Sequence, residues 1–248
     1  MGEDPALNRF RSGALSKPRK AVVFDMDDTL YLEREYVLSG FRHIAGLVAL
    51  DARESPEDIF AFLEASSTMP EHQGHHLDFL LEKYPGLRAV WNAGRLIEEY
   101  RRHNPRISLL PGVGSMLSDL RDAGAYLAVI TDGASQSQHR KAEALQLAAQ
   151  VNLLIVTDDH GIEYRKPHPY AYRRVSEASG CGPKACIYVG DNPAKDFLAP
   201  RVLGWDTVRI RFPNQLHAQA EPLAPEAAPL VECGGITQLR GFLKCWLT

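Results

Sequence analysis

The chain contains five short runs of apolar residues, each ending at a polar residue or a glycine. They cover residues 21–24, 126–130, 153–156, 187–189 and 207–210. Because the apolar residues are nearly continuous and do not alternate with polar ones, these runs predict strands that are covered on both faces.

Helical patterns lie between these runs. One has an apolar stripe of Met116, Leu117 and Leu120 and stops at Gly124, a residue that favours helix C-termini. The others cover residues 135–147, 169–179 and 196–203. Strands and helices therefore alternate through residues 111–212, which predicts an α/β fold: a Rossmann-like, mostly parallel sheet with helices on both faces.

Residues 31–110 break this alternation, because they contain no convincing strand. Ser55 followed by Pro56 is typical of a helix start. A second helix is predicted over residues 77–84 and a third over about 87–102. We predict a helical cap at 31–110, inserted into a core formed by 20–30 and 111–248, with a flexible leader at 1–19.

The C-terminal tail is predicted to be irregular and then helical. Prolines at 213, 222, 225 and 229 exclude regular structure across that stretch. An amphipathic helix with Ile236, Leu239, Leu243 and Trp246 on one side then ends the chain.

Composition narrows the possible functions. With 28 basic and 31 acidic residues, the net charge of −3 gives no basic surface for nucleic acid. No stretch reaches the ~18 apolar residues that a membrane span needs. Four cysteines are too few for a disulfide framework in 248 residues, and residues 1–19 lack the apolar segment of a secretory signal. We therefore expect a cytoplasmic protein with reduced thiols, and its oligomeric state stays open.

Polar side chains cluster where the predicted strands end. Asp25 and Asp27 follow the first strand, Thr131 follows the second and Asp191 follows the fourth, while Lys166 precedes a predicted helix. Ligands of open α/β sheets bind at the carboxyl ends of the strands, so these residues are expected to converge. Carboxylates, a hydroxyl and a lysine suit phosphoryl transfer with a hard cation such as Mg²⁺.

These residues resemble the four motifs of the haloacid dehalogenase (HAD) superfamily. The first is residues 25–29 (DMDDT), the second is Thr131, the third is Lys166 and the fourth is residues 190–196 (GDNPAKD). All four occur in order at the ends of predicted elements, and the resemblance covers about residues 20–212. It implies a Rossmann-like core with a helical cap that closes over the site.

The resemblance also implies roles for individual residues. Asp25 would be the nucleophile that forms an aspartyl-phosphate, and Asp27 the general acid and base. Thr131 and Lys166 would hold the phosphoryl oxygens and the nucleophile. Mg²⁺ would be bound by Asp25, Asp191 and the backbone carbonyl of Asp27.

Further residues are expected around this centre. Asp132 and Gly133 are placed beside the phosphate, with Asp132 turning the chain and Gly133 letting the backbone approach. Asn192 and Asp196 would lie just outside the metal ligands, with Asn192 shaping the loop. Asp28 is interpreted as a turn or surface carboxylate.

Asp27 separates branches of the superfamily. Haloalkanoate dehalogenases lack this second aspartate, so the resemblance favours a phosphatase acting on a small phosphorylated metabolite. A phosphomutase, which uses the same two aspartates, stays open. Outside enzymes, the alternative is a signalling module phosphorylated on aspartate, although such domains span ~120 residues and have no cap.

A narrower similarity points to sugar phosphates. The stretches 100–105 (YRRHNP), 130–133 (ITDG) and 188–193 (YVGDNP) are similar to capped phosphatases of the N-acylneuraminate-9-phosphatase type. Residues Arg34, Tyr36 and Arg42 follow the first motif and are proposed as substrate contacts. His72, His75 and His76 are interpreted as a polar surface loop, with a metal site as the alternative.

Overall fold

A single parallel sheet of six strands forms the centre of the molecule, in the order β3-β2-β1-β4-β5-β6. The computed structural model describes residues 20–69 and 74–248, so the predicted leader at 1–19 and His72 lie outside the described residues. The strands are β1 (Ala21–Phe24), β2 (Tyr126–Thr131), β3 (Leu153–Val156), β4 (Cys186–Gly190), β5 (Asp206–Ile210) and β6 (Val231–Cys233). The predicted parallel α/β fold is confirmed.

Strand β1 lies in the middle of the sheet, paired with β2 on one side and β4 on the other. All four of its residues are fully buried, as its unbroken apolar run predicts. The residue that follows β1 therefore emerges at the centre of the carboxyl edge. In a doubly wound sheet this is the crevice where ligands bind.

Helices cover both faces of the sheet. One face packs against α5 (Val113–Asp122), α6 (Ser135–Ala144) and α9 (Ile236–Leu247). The other face packs against α7 (Tyr170–Ser179) and α8 (Leu198–Val202).

Among the described residues, four helices follow β1 before the next core element. They are α1 (Glu33–Ala52), α2 (Pro56–Ser66), α3 (His76–Lys83) and α4 (Ala93–Arg102). They share a separate apolar cluster that includes Phe41, Ile44, Leu63 and Leu96. We refer to residues 31–110 as the helical insertion.

The insertion corrects two details of the sequence prediction. The long helix α1 was not predicted individually, although Phe41, Ile44 and Val48 form a buried stripe along it. The third predicted helix is in fact two elements: a 3₁₀ turn at Pro85–Ala89, and α4, which starts after Asn92. The Asn92 side chain accepts a hydrogen bond from the Arg95 amide at 2.9 Å, which fixes the later start.

The tail departs from the prediction at one point. Strand β6 extends the sheet beside β5 and was missed, because three residues after a run of prolines carry almost no pattern. The terminal helix α9 is confirmed, with Leu239 and Leu243 buried. No helix among the described residues has the length and apolar character needed to cross a bilayer.

Two glycines of α1 give a matched test of how the insertion is held together. A Cβ on Gly40 would overlap the ring of Tyr100 on α4, whereas a Cβ on Gly46 would meet nothing within 4 Å. Gly40→Ala is therefore expected to lower the free energy of unfolding by about 1–3 kcal/mol through overpacking. Gly46→Ala should raise it by roughly 0.5–1 kcal/mol through helix propensity. Urea titrations of both variants measure the difference, and equal shifts would contradict this packing.

Candidate active site

Asp25 and Lys166 form the buried centre of the candidate site. Asp25 follows β1 and is 2% exposed, and its backbone amide donates to the Val189 carbonyl at 2.8 Å. The Lys166 ammonium donates to Asp25 Oδ1 at 2.6 Å and to Asp196 Oδ1 at 2.8 Å. A third bond, to Tyr188 Oη at 3.0 Å, completes the donor capacity of the ammonium. Residues 141 positions apart in the chain thus meet at one point.

Burial and charge act in opposite directions on this pair. Burial raises the pKa of Asp25 to about 6, with Lys166 opposing the rise and Asp196 adding to it. Burial alone would lower the pKa of Lys166, but the carboxylates of Asp196 and Asp25 raise it well above its usual range. Lys166 is therefore a fixed cation, and Asp25 is mainly ionised at neutral pH.

Three buried carboxylates lie close together at this edge. Carboxylate oxygens of Asp25, Asp191 and Asp196 all lie within 4.8 Å of one another. Both oxygens of Asp196 are engaged, one by Lys166 and the other by the Asn192 amide at 2.9 Å. By contrast, Asp191 Oδ2 is buried and has no hydrogen-bond partner. Burial, together with the charges of Asp196 and Asp25, raises the pKa of Asp191 to about 9. Lys166 pairs with Asp25 and Asp196 and leaves Asp191 without a bonded cation, which a hard divalent ion would supply.

Asp27 lies apart from that cluster and contacts a different set of donors. Lys141 Nζ donates to its Oδ1 at 2.8 Å, and Gln138 Nε2 to its Oδ2 at 3.2 Å. The Tyr31 hydroxyl donates to Oδ1 as well. Burial would raise the pKa of Asp27, but the Lys141 charge and these hydrogen bonds outweigh it and lower the pKa. Asp27 is therefore held as an anion in this arrangement.

Sequence reasoning missed Lys141 and Gln138. Lys141 is 3% exposed, unusual for a lysine, and its ammonium also lies 4.3 Å from the centre of the Tyr36 ring. The two residues are spaced i, i+3 on α6, the helix that starts just after the Thr131-Asp132-Gly133 loop. The signal in the sequence was this i, i+3 spacing, which places both side chains on one face of a helix that starts beside the predicted site.

Lys141 gives a direct test of how Asp27 is held. Lys141→Gln is expected to lower kcat for p-nitrophenyl phosphate by about 10- to 100-fold, because Asp27 loses its cation and its fixed position. Lys184→Gln, a matched change of an exposed lysine, should leave kcat unchanged. Steady-state kinetics with thermal melting of both variants provide the measurement. A fully active Lys141→Gln enzyme would contradict this role.

Thr131, Asp132 and Gly133 line the loop after β2. The buried Thr131 hydroxyl donates to Gln138 Oε1 at 3.3 Å. Asp132 Oδ1 accepts from the Thr157 hydroxyl at 2.8 Å and from the Lys166 amide at 3.1 Å, so its carboxylate holds two loops together. Gly133 has φ +132°, and a Cβ there would overlap Gln138. A larger residue at position 133 would displace Gln138, which donates a hydrogen bond to Asp27, so the position requires glycine.

Asp28 is buried, which corrects its interpretation as a possible surface carboxylate. It adopts a left-handed conformation at φ 50°. Its two oxygens accept from the amides of Glu33 at 2.8 Å and Leu216 at 2.6 Å. The side chain therefore ties the loop after β1 to the C-terminal tail.

The three residues expected to contact the substrate, Arg34, Tyr36 and Arg42, do not lie together in the structure. Tyr36 lies against Lys141 and lines a cleft of about 390 Å³ together with Tyr100, Arg101 and Ser137. Arg34 pairs with Glu64 at 3.3 Å on the surface. The Arg42 guanidinium stacks on Phe60 at 4.3 Å and lines a separate cavity.

The remaining predicted residues occupy the loop after β4 and the insertion. Asn192 accepts from the Ala194 amide at 3.0 Å and so shapes that loop. His75 is exposed and lies 3.4 Å from Asp78. Within residues 20–69 and 74–248, the cluster of Asp25, Asp191 and Asp196 is the one group arranged for a metal, and neither His75 nor His76 belongs to such a group.

Comparison with known proteins identifies the family. A family model described as haloacid dehalogenase-like hydrolase matches residues 19–204. The chain therefore belongs to the haloacid dehalogenase-like hydrolases, as the four motifs indicated.

Two curated relatives span most of the chain. A phosphoserine phosphatase from Thermus thermophilus is 28% identical over 250 residues, covering 89% of this chain and 97% of its own. A glyceraldehyde 3-phosphate phosphatase from Methanopyrus kandleri is 28% identical over 199 residues, covering 77% and 84%. Among solved structures, the HAD-hydrolase YfnB from Bacillus subtilis superimposes with a TM-score of 0.64 at 20% identity, over 92% of this chain and 99% of YfnB. At 20% identity, this structural similarity supports the fold and says nothing about the substrate.

Proposed function

We propose that this protein is a Mg²⁺-dependent phosphatase that hydrolyses a small phosphomonoester through an aspartyl-phosphate on Asp25. The observation that carries the proposal is the contrast between two aspartates on one loop. Asp25 lies beside the Lys166 cation and two further carboxylates, whereas Asp27 lies beside Lys141, Gln138 and Tyr31. One environment suits a nucleophile next to a metal, and the other suits a proton carrier.

The residues present fit a magnesium ion. Asp191 Oδ2 is a buried acceptor without a partner, and Asp25 and Asp191 offer carboxylate oxygens close together. These two side chains and the backbone carbonyl of Asp27 would hold the ion, with Asp196 outside them because Lys166 and Asn192 already engage its oxygens. When bound, Mg²⁺ would offset the charge of the phosphoryl group and of the carboxylates.

The first step is assigned to Asp25. Its carboxylate oxygen forms a bond to phosphorus while the bond from phosphorus to the leaving oxygen breaks. Lys166 holds the nucleophile and contributes positive charge to the phosphoryl oxygens. Asp27 gives the leaving oxygen a proton, which it takes from solvent water before this step because Lys141 favours its ionised form.

The second step returns Asp25 to its starting state. Asp27, now ionised, takes a proton from a water molecule as that water attacks phosphorus. The bond between phosphorus and the Asp25 oxygen breaks, and inorganic phosphate leaves. Lys141 and Tyr31 keep Asp27 in place for this role, because both donate to the same carboxylate oxygen.

The substrate is proposed to be a compact phosphorylated metabolite. The cleft beside Tyr36 is about 390 Å³ and combines aromatic walls with Arg101 and Ser137. The two relatives described above are phosphatases of phosphoserine and glyceraldehyde 3-phosphate, both small phosphomonoesters. The narrower sequence similarity adds N-acylneuraminate 9-phosphate and other sugar phosphates to the compounds worth testing.

Metal removal combined with a substrate panel tests this function. Phosphate release from p-nitrophenyl phosphate and from the phosphometabolites should need Mg²⁺, fall to background with EDTA, and return when excess Mg²⁺ is added. Activity that persists in EDTA would contradict the metal requirement. Isomerised phosphosugar without free phosphate would assign a phosphomutase, and a stable phosphoprotein without turnover would assign a signalling module.

A further inference from the structure

A second cavity, of about 620 Å³, lies where the helical insertion meets the core. Its lining comes from α1, α4, the segment after α4, and α6 of the core. The basic residues in it are Arg42, His43, Arg102, His103, Arg106 and Arg140. None of the residues assigned to phosphoryl transfer lines it, so it is a separate feature.

The cavity carries a strong excess of positive charge. Of the described residues that line it, Glu99 is the one acid, and it lies 4.0 Å from the His43 ring. Within residues 20–69 and 74–248, no carboxylate lies within 4.0 Å of the guanidinium groups of Arg42, Arg106 or Arg140. Arginine stays charged at every physiological pH. Arg102 is paired with Glu98 at 3.3 Å, so three guanidinium groups without an acidic partner among the described residues remain around this space. An anion between them would relieve their mutual repulsion.

His103 gives an independent sign of a ligand. Its side chain is 3% exposed, and its Nδ1 lies 2.6 Å from the Tyr100 carbonyl. Since a carbonyl only accepts, Nδ1 carries the hydrogen of that bond. The other ring nitrogen, Nε2, is buried and has no hydrogen-bond partner. Because the hydrogen of the neutral ring is on Nδ1, Nε2 is an acceptor. Buried polar atoms are almost always paired, so this acceptor beside an arginine-lined cavity points to a missing donor, such as a hydroxyl group of a bound ligand.

We propose that this cavity binds a small anion with two or more phosphate or carboxylate groups, distinct from the substrate of the catalytic site. The volume lies within the range of metabolite sites, about 300–1,000 Å³. Guanidinium groups match phosphate and carboxylate oxygens in pairs, and several of them call for several negative charges.

The position of the cavity connects it to the candidate active site. His103 packs against Tyr36 and Tyr100 with ring centres 4.9 and 5.7 Å apart, and these two tyrosines line the substrate cleft. Arg140 belongs to α6, the helix whose Lys141 contacts Asp27. An anion held between Arg106 and Arg140 would therefore tie the segment after α4 to the core helix that positions the proton carrier.

Calorimetric titration of the metal-free protein tests the proposal, with tripolyphosphate and citrate as separate probes at fixed ionic strength. We expect one equivalent of at least one probe to bind. Binding of tripolyphosphate would show that the cavity recognises phosphate groups, and binding of citrate would show that it recognises carboxylates. The double variant Arg106→Gln/Arg140→Gln should weaken its Kd at least about tenfold. The matched variant Arg173→Gln/Arg174→Gln removes two exposed arginines from α7 and should bind like the wild type.

Turnover of p-nitrophenyl phosphate without a probe separates this site from the catalytic one. The Arg106/Arg140 variant should keep the kcat/KM of the wild type, and thermal melting should show that both double variants are folded. Three results would overturn the proposal: no binding of either probe, binding unchanged in the Arg106/Arg140 variant, or equal weakening in the α7 control. Failure of the phosphatase assay with retained probe binding would overturn the proposed function alone.

Discussion

Replacing Asp25 by asparagine is expected to lower phosphate release from p-nitrophenyl phosphate by at least about 10⁴-fold, because the nucleophile of the first step is lost. An amide oxygen cannot form a stable bond to phosphorus under these conditions.

The fold should survive this change. Asparagine has nearly the same shape as aspartate, and Lys166 keeps its ion pair with Asp196 at 2.8 Å. Thermal melting should therefore show a folded protein. Asp119→Asn, an exposed aspartate that pairs with Arg240, is the matched control and should remain fully active. An Asp25→Asn protein that is folded and retains metal-dependent activity would contradict covalent catalysis at this position.

Asp27→Asn is expected to produce a different defect, because Asp27 acts in both steps. Steady-state phosphate release should fall by about 10²- to 10⁴-fold, the range for loss of a general acid and base. With p-nitrophenyl phosphate, whose leaving group needs no proton, the first step should still proceed. We therefore expect a rapid burst of nitrophenolate, close to one equivalent per enzyme, followed by slow turnover.

The neighbouring aspartate offers a control for Asp27. Asp28 accepts hydrogen bonds from the Glu33 and Leu216 amides, so Asp28→Asn should lower the free energy of unfolding by about 1–3 kcal/mol. It should show the nitrophenolate time course of the wild type, because Asp28 has no part in the proposed chemistry. A burst in Asp28→Asn that the wild type lacks, or no burst in Asp27→Asn, would contradict the assigned roles.

The sequence predicted the strands best, because burial on both faces of the sheet requires nearly every residue of a strand to be apolar. The strand at residues 21–24 and the four after it are apolar because helices cover both faces, and that pattern is visible without a structure. Since parallel strands end at a common edge, placing Asp25 and Asp191 together followed from the same pattern, whereas Lys166 was placed there as a residue just before a predicted helix. The ion pair between Lys166 and Asp25 shows that the inference held over a long separation.

The residues that sequence reasoning missed depend on contacts that no local pattern encodes. Lys141 looks like an ordinary surface residue of a polar helix, and only the position of α6 over Asp27 buries it. Asp28 looks like a turn residue, and its second partner, Leu216, lies 188 positions away. The cavity proposed to bind an anion is lined by residues of the insertion and the core. Its excess of arginines is therefore visible only when α1, α4 and α6 are packed together.

Trapping the covalent intermediate tests the central claim most directly. Asp27→Asn protein mixed with p-nitrophenyl phosphate and Mg²⁺ would be quenched in acid within one turnover, digested and examined by mass spectrometry. We predict a phosphoryl group on the peptide that contains Asp25, near one equivalent, and none in the Asp25→Asn/Asp27→Asn double variant. A nitrophenolate burst without phosphorylated peptide, or phosphorylation at another residue, would contradict the mechanism.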